Sequence, residues 1–424
     1  MPPPLARGAL LRRPSASSSS NAGVCRSCRR RLATTASSAP PRPPAAGLAE
    51  LSSRRVLAVA GADATKFLQG IVTQNVAAAA AASGNGRHQQ TTTTTTTTPS
   101  EPRIEGFYAG FLNATGRVMH DTFIYPFRGG GGSLLGSDDG FLVEADASQT
   151  ARLEKYIKRY KLRAKVSVRS LAPDEVSVWQ AWDDNGGIDT LSLPSGADSR
   201  VITLRDPRAP AMGHRILQLG GGGGGGAPDI IGVERASEDA YTIRRYLQGV
   251  PEGQEELLRE QALPLESNME HMHGVDFHKG CYVGQELTIR TKHRGVVRKR
   301  ILPCMVYDAD RPAPQTLAYQ PDSVASVVGG AAAVPAETSI GRFEKRGRSA
   351  GKWLRGVGNI GLGLCRLEIM TDVVLPGEQA AATYKPDDEF VLEWGGEDDV
   401  KSSVKVKAFV PDWLRASMEE GQKR

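Results

Sequence analysis

Within the 424-residue sequence, the residue types that could do chemistry are concentrated in Phe277-His-Lys-Gly-Cys-Tyr-Val-Gly-Gln-Glu286. Cys281 is preceded by His278 and Lys279, and Gln285 onward reads as the start of a helix. Cations and a helix N-terminus both favour thiolate over thiol, which makes Cys281 the candidate nucleophile or metal ligand. Gly280 and Gly284 predict close approach of backbone around it. A lone cysteine is ordinarily a small buried hydrophobe, and Cys304 and Cys365, each inside an apolar strand-like run, carry that expectation. His271, His273 and His278 lie within ten residues of Cys281. Their spacing matches no zinc pattern, so a transient ligand role for Cys281 is favoured over a fixed metal site made by protein alone.

Directly downstream, Arg290, Lys292, Arg294, Arg298, Lys299 and Arg300 fall within eleven residues. A charge run is usually a solvated face; placed beside the cysteine, this one suits an anionic ligand tail or an acidic protein partner. No aromatic side chains are interleaved with these cations to stack on bases, so nucleic acid is not the expected partner. Overall charge does not argue for it either. The net +6 is concentrated at the front, because residues 1–49 hold eight arginines and neither lysine nor acid, leaving the remainder slightly acidic.

That Arg- and Ser-rich front, with Leu10 and Leu11 beside Arg12 and Arg13, reads as a mitochondrial transit peptide directing the chain to the matrix, and we expect residues 1–46 to be a disordered presequence. Cys25 and Cys28 lie inside it with no second pair to complete a four-ligand site. Five scattered cysteines give no disulfide scaffold. No apolar run approaches the roughly 18 residues a membrane span needs, so none is expected.

The elements that must position the cysteine begin near Arg54. Val56, Leu57 and Val59 predict a strand, and an amphipathic helix follows with Phe67, Leu68, Ile71 and Val72, for which Asp63 is the expected N-cap. Glu105–Leu112 and Val118–Phe127 alternate as two strands joined by the turn-forming Asn113-Ala-Thr-Gly116. Ala147–Tyr160 has helical spacing through Leu153, Tyr156 and Ile157. Low-complexity stretches near 77–100, 129–137 and 220–227 read as insertions. Beyond Ile301, short apolar runs between Gly, Pro and acidic turns, including Val357–Ile369 and Phe390–Trp394, predict a smaller β domain.

Taken in order and spacing, Gly249-Val-Pro-Glu-Gly253, Leu263-Pro-Leu-Glu-Ser-Asn268 and Lys279-Gly-Cys-Tyr-Val-Gly-Gln-Glu286 resemble the mitochondrial iron–sulfur cluster assembly factors of the folate-binding, aminomethyltransferase-like family. Phe67-Leu-Gln-Gly-Ile-Val-Thr-Gln-Asn75, Phe111-Leu-Asn-Ala-Thr-Gly116 and Gly358-Asn-Ile-Gly-Leu-Gly363 extend the likeness over most of residues 50–370. The resemblance implies an α+β fold of three lobes around a folate pocket (47–299) with a C-terminal β-barrel (300–424). It implies action late in cluster assembly with A-type carrier proteins, tetrahydrofolate as a ligand, and Cys281 as a transient ligand to a shared iron–sulfur cluster. Lys279, Gly280, Tyr282, Gly284, Gln285 and Glu286 would then shape the loop. The related aminomethyltransferases carry a pair of acids after the hairpin glycine. Here His120 and Asp121 occupy those positions, so Asp121 is the one candidate for the folate pocket and the transferase reading is weakened.

Overall fold

The computed structural model describes residues 39–77, 105–128, 139–185, 200–220, 227–321, 323, 330–344, 347–375, 384–395 and 402–422, all within a unit spanning Ser38–Arg424. Most of the expected presequence, and the three expected insertions apart from their edges, lie outside the described residues. Strands β1 (Ala46–Glu50) and β2 (Arg54–Ala60) lead into helix α1 (Ala64–Gln69). Asp63 does not cap this helix with its side chain; its carboxylate instead accepts from the Lys165 amide at 2.7 Å, pinning a neighbouring turn.

The expected hairpin forms from β3 (Phe107–Leu112) and β4 (Val118–Phe127). Asn113 Oδ1 accepts from the amides of Thr115 and Arg117, each at 3.0 Å, as a short polar side chain does when it closes a turn. After β5 (Gly140–Asp146), helix α2 (Thr150–Lys161) buries Leu153, Tyr156 and Ile157. With β6 (Ser167–Ser170) these strands make a sheet in the order β3-β4-β5-β2-β6. Helices α1 and α2 cover one of its faces, packing Leu68, Leu153 and Ile157 on Leu57, Val59 and Phe111. Each such fully buried side chain contributes about 1.5–3 kcal/mol.

A second sheet, ordered β10-β1-β7-β9-β8, uses β7 (Val176–Asp183), β8 (Val201–Arg205), β9 (His214–Leu219) and β10 (Glu234–Ala236). Its β1 runs antiparallel to β7 and parallel to β10. This strand precedes the expected start of order at Arg54 because Ala46-Gly-Leu-Ala-Glu has neither clean alternation nor β-branched residues. Its glycine is required by packing: a Cβ at Gly47 would sit 2.3 Å from the Trp182 ring. The two sheets share a core in which Val56, Tyr108 and Phe123 meet Val178, Trp182 and Leu217.

Helix α3 (Glu238–Gln248) is capped by Ser237, which accepts from the Ala240 amide at 3.2 Å, and it leads through loops to α4 (Gln285–Arg294). The chain then closes a six-stranded barrel of β11 (Lys299–Tyr307), β12 (Ser339–Arg342), β13 (Gly351–Val357), β14 (Ile360–Arg366), β15 (Phe390–Trp394) and β16 (Ser402–Ala408), in the order β11-β14-β13-β12-β15-β16. Cys304 and Cys365 are buried inside it, as expected, beside Leu302, Trp353 and Leu392. The outer wall takes Ile243 and Tyr246 of α3 against Met305 and Leu362. Helices α5 (Leu367–Met370) and α6 (Asp412–Gln422) follow β14 and β16, and the Trp413 indole N–H donates to the Gln248 carbonyl at 3.0 Å. Among the described residues, no helix is long and apolar enough to cross a membrane.

Candidate functional site

The loop that carries Cys281 has one anchored side and one bare side. Lys279 supplies the anchor. Its ammonium donates to the carbonyls of Gln69, Val72 and Gln74 at 2.8, 2.6 and 3.0 Å. Burial pulls its pKa down to about 7, with Asp276 acting in the opposite direction. Only the charged form has the three N–H groups that would satisfy all three carbonyls, so the cage itself favours ammonium. The Val283 amide donates to the Gly70 carbonyl at 3.1 Å, and Lys279 Nζ lies 4.9 Å from the Tyr282 ring centroid. Two stretches of sequence far apart, 67–75 and 279–286, thus form one unit.

Tyr282 is buried, and burial, assisted by Asp276, raises its hydroxyl to about 12. Gln285 Oε1 accepts from the Tyr282 amide at 3.1 Å, tying the loop to the first turn of α4. Gly284 caps that turn at φ +79°. A Cβ there would meet the Asn113 carbonyl at 2.3 Å, so this glycine seats α4 on the β3–β4 turn. At Gly280 the expectation of close backbone approach fails. A Cβ there would have nothing within 4 Å. His278, Gly280, Cys281 and Glu286 are exposed, and the Cys281 thiol is unpaired with any other cysteine.

The neighbouring histidines do not converge on that thiol. His271 turns to the barrel side, with Nδ1 2.7 Å from Ser417 Oγ and Nε2 3.4 Å from Glu270; burial lowers it to about 4. The carbonyl of His273 accepts from Gln74 Nε2 at 2.6 Å, and the His278 amide donates to Asp276 at 2.7 Å. Among the described residues, no group of three or more His, Cys, Asp or Glu side chains could hold a metal ion. The basic run also divides: Arg290, Lys292 and Arg294 are exposed, whereas Arg300 is buried on Leu265 O, Asn268 Oδ1 and Glu270 at 2.8–3.0 Å.

Asp121 lies between the two sheets, fully buried. It pairs with Arg54 at 3.3 Å and accepts from the Gly253 amide at 3.1 Å. Burial raises its carboxyl, while Arg54 draws it back down. His120 beside it is buried with both ring nitrogens unpartnered among the described residues, and burial, reinforced by Arg259, lowers it to about 3. Asp121 belongs to a charge network that sequence reasoning missed. Arg208 is held by Asp206 at 2.7 Å and Glu252 at 2.7 Å, Arg215 by Glu252, Arg54 by Glu144 at 2.8 Å. Burial pushes the Glu252 carboxyl up, yet Arg215, Arg208, Arg54 and Arg245 together hold it well below the usual carboxylate range. The signals available were Glu252 inside the Gly249–Gly253 motif and Arg215 directly before the apolar pair Ile216 and Leu217.

Beside this network opens a cavity of about 640 Å³ lined by Gln74, Glu105, Tyr108, Arg205, His214 and His273, among others. The Tyr108 hydroxyl is buried and finds no hydrogen-bond partner among the described residues. Gln74 and His273 also belong to the platform under the cysteine loop.

Residues 298–416 match the family model described as CAF17, C-terminal beta-barrel domain. A relative from Pyricularia oryzae, named iron-sulfur cluster assembly factor IBA57 homolog, mitochondrial, is 52% identical over 376 residues, covering 88% of this chain and 86% of its own length. Relatives of the same name from Chaetomium globosum and Neurospora crassa are 48% and 44% identical, each covering more than 80% of both chains. The fold is similar to the crystal structure of glycine cleavage system aminomethyltransferase T from Bartonella henselae, with a TM-score of 0.54 at 14% identity over 88% of this chain and 87% of that one.

Proposed function

The chain belongs to the family of mitochondrial iron–sulfur cluster assembly factors, and from that premise we propose that it acts late in four-iron, four-sulfur cluster maturation in the matrix, with an A-type carrier protein as partner. The cluster is its cargo. Cys281 supplies a thiolate to a cluster or intermediate shared with the carrier. One observation carries this reading: the Cys281 loop is fastened from beneath through Lys279 and Tyr282, while His278, Gly280 and Cys281 face solvent with open space around Gly280. A preorganised, uncovered thiol is suited to sharing a ligand with a second protein. The exposed cations of α4 give the same face a charge that would steer an acidic partner. The Arg-rich front of the sequence supports delivery to the matrix.

Anaerobic cluster reconstitution with an A-type carrier tests the reading. Cys281→Ala should abolish the shared visible chromophore and activation of apo-aconitase while leaving the fold intact. Equal behaviour of mutant and wild type would make the thiol structural and defeat the proposal.

The ligand implied by the fold is tetrahydrofolate, and the cavity beside Tyr108 fits such a molecule in size and donor set. Glu105 and the orphaned Tyr108 hydroxyl would meet the hydrogen-bonding edge of a pterin, and Arg205 a tail carboxylate. Asp121 contributes from behind, through the buried charge it shares with Arg54. When bound, folate can carry a one-carbon unit; the residues here bind and orient it. Transfer chemistry is not proposed, because the acid expected beside Asp121 is replaced by a buried His120. Calorimetry should show tetrahydrofolate binding that weakens about tenfold in Tyr108→Phe, the loss of one hydrogen bond from a site built to receive it. No binding by the wild type would leave the protein as an assembly scaffold without folate.

A further inference from the structure

On the barrel side of α4 lies a second cleft of about 380 Å³, and none of residues 277–284 lines it. Its floor is apolar, with Leu263, Leu265, Leu287 and Val296. Its walls carry four cations, Arg298, Lys299, Arg348 and Arg366; Lys299 engages the lining carboxylate of Glu266 at 3.2 Å, and Arg366 Nε donates to the Ser349 carbonyl at 3.0 Å. Thr288 also lines the cleft. It is 2% exposed, and its hydroxyl has no hydrogen-bond partner among the described residues. A buried orphaned hydroxyl carries a desolvation penalty that is relieved when a ligand atom arrives.

An apolar floor, a basic wall and an unmet donor together define what would complete the cleft. We propose that it is a binding site for a small organic anion: an oxyanion head, carboxylate or phosphate, on a short apolar body. The head accepts from the Thr288 hydroxyl and faces the Arg348 and Arg366 guanidinium groups, while the body lies on Leu265, Leu287 and Val296. The volume is within the range of small-molecule sites. The ligand would touch α4, the helix whose first turn is tied to the Cys281 loop through Gln285.

Calorimetric titration of the full-length protein with hexanoate, hexyl phosphate, hexanol and inorganic phosphate tests the site. One or both amphiphilic anions should bind with one-to-one stoichiometry and at least about tenfold more tightly than hexanol or inorganic phosphate; which anion wins identifies the head group. Thr288→Val, nearly isosteric, should weaken that binding about tenfold. Arg348→Gln changes an exposed side chain, and it should weaken binding several-fold. Absence of saturable binding would overturn the proposal, as would hexanol binding equally well, inorganic phosphate matching hexyl phosphate, or unchanged affinity in both variants.

Discussion

Lys279, half-buried, and His120, buried, show two ways in which this protein treats a basic residue withdrawn from water. Lys279 is given three carbonyl acceptors and becomes a fastener for the cysteine loop. His120 is given none and remains neutral. Because its folded pKa of about 3 lies below the unfolded value near 6.5, the unfolded chain takes up a proton that the folded one refuses. Stability contributed by His120 is therefore complete above about pH 6.5 and is lost as pH falls towards 3, at about 1.4 kcal/mol per unit. His120→Leu should match the wild type in stability at pH 7.5 and fall less steeply on acidification, measured by urea unfolding from pH 7 to pH 4.5. Parallel curves would mean that other groups dominate. That a cysteine stands in a basic, glycine-flanked segment was legible in the sequence. The direction of the Lys279 charge was not, because its acceptors are backbone carbonyls some two hundred residues away in the chain.

At the scale of elements, the site depends on how α4 is seated. Gly284 lies against the Asn113 carbonyl with left-handed backbone, and Gly116 lies against both Gly284 and Leu287. Gly284→Ala would add roughly 1–2 kcal/mol of backbone strain to a steric clash with that carbonyl. It should speed alkylation of Cys281 and lower cluster transfer with only a modest loss of global stability, because the loop loosens before the sheets do. Unchanged alkylation would show that the hairpin does not hold the loop. Elements with local signatures were readable: the hairpin from its alternation and Asn-to-Gly turn, α2 from its apolar spacing, and Phe390–Trp394 as β15 from its apolar run. The cap at Asp63 was misjudged because a neighbouring amide from Lys165 competed for the same carboxylate.

The whole molecule is held at its centre by the charge network between the two sheets. Arg54, Arg208 and Arg215 are fully buried against Asp121, Glu144, Asp206 and Glu252, an arrangement that no local pattern reveals because its members come from separate strands and loops. Removing one partner strands the others. Glu252→Ala should cost about 3–5 kcal/mol in denaturant unfolding, whereas an exposed pair such as Arg169–Glu175 should matter by less than about 1 kcal/mol. The placement of β1 has a different kind of consequence, one of timing. Synthesis proceeds from the N-terminus, so β1 is the first of the described strands to appear, yet Gly47 finds its partners only when Trp182 and Glu234 have been made, each more than a hundred residues later. Until then it has no neighbour in its own sheet. Trimming the start of a chain is usually harmless, but a cut between Ala46 and Arg54 would act as an internal deletion, removing a strand from the sheet's interior and leaving β7 and β10 with raw edges open to other chains.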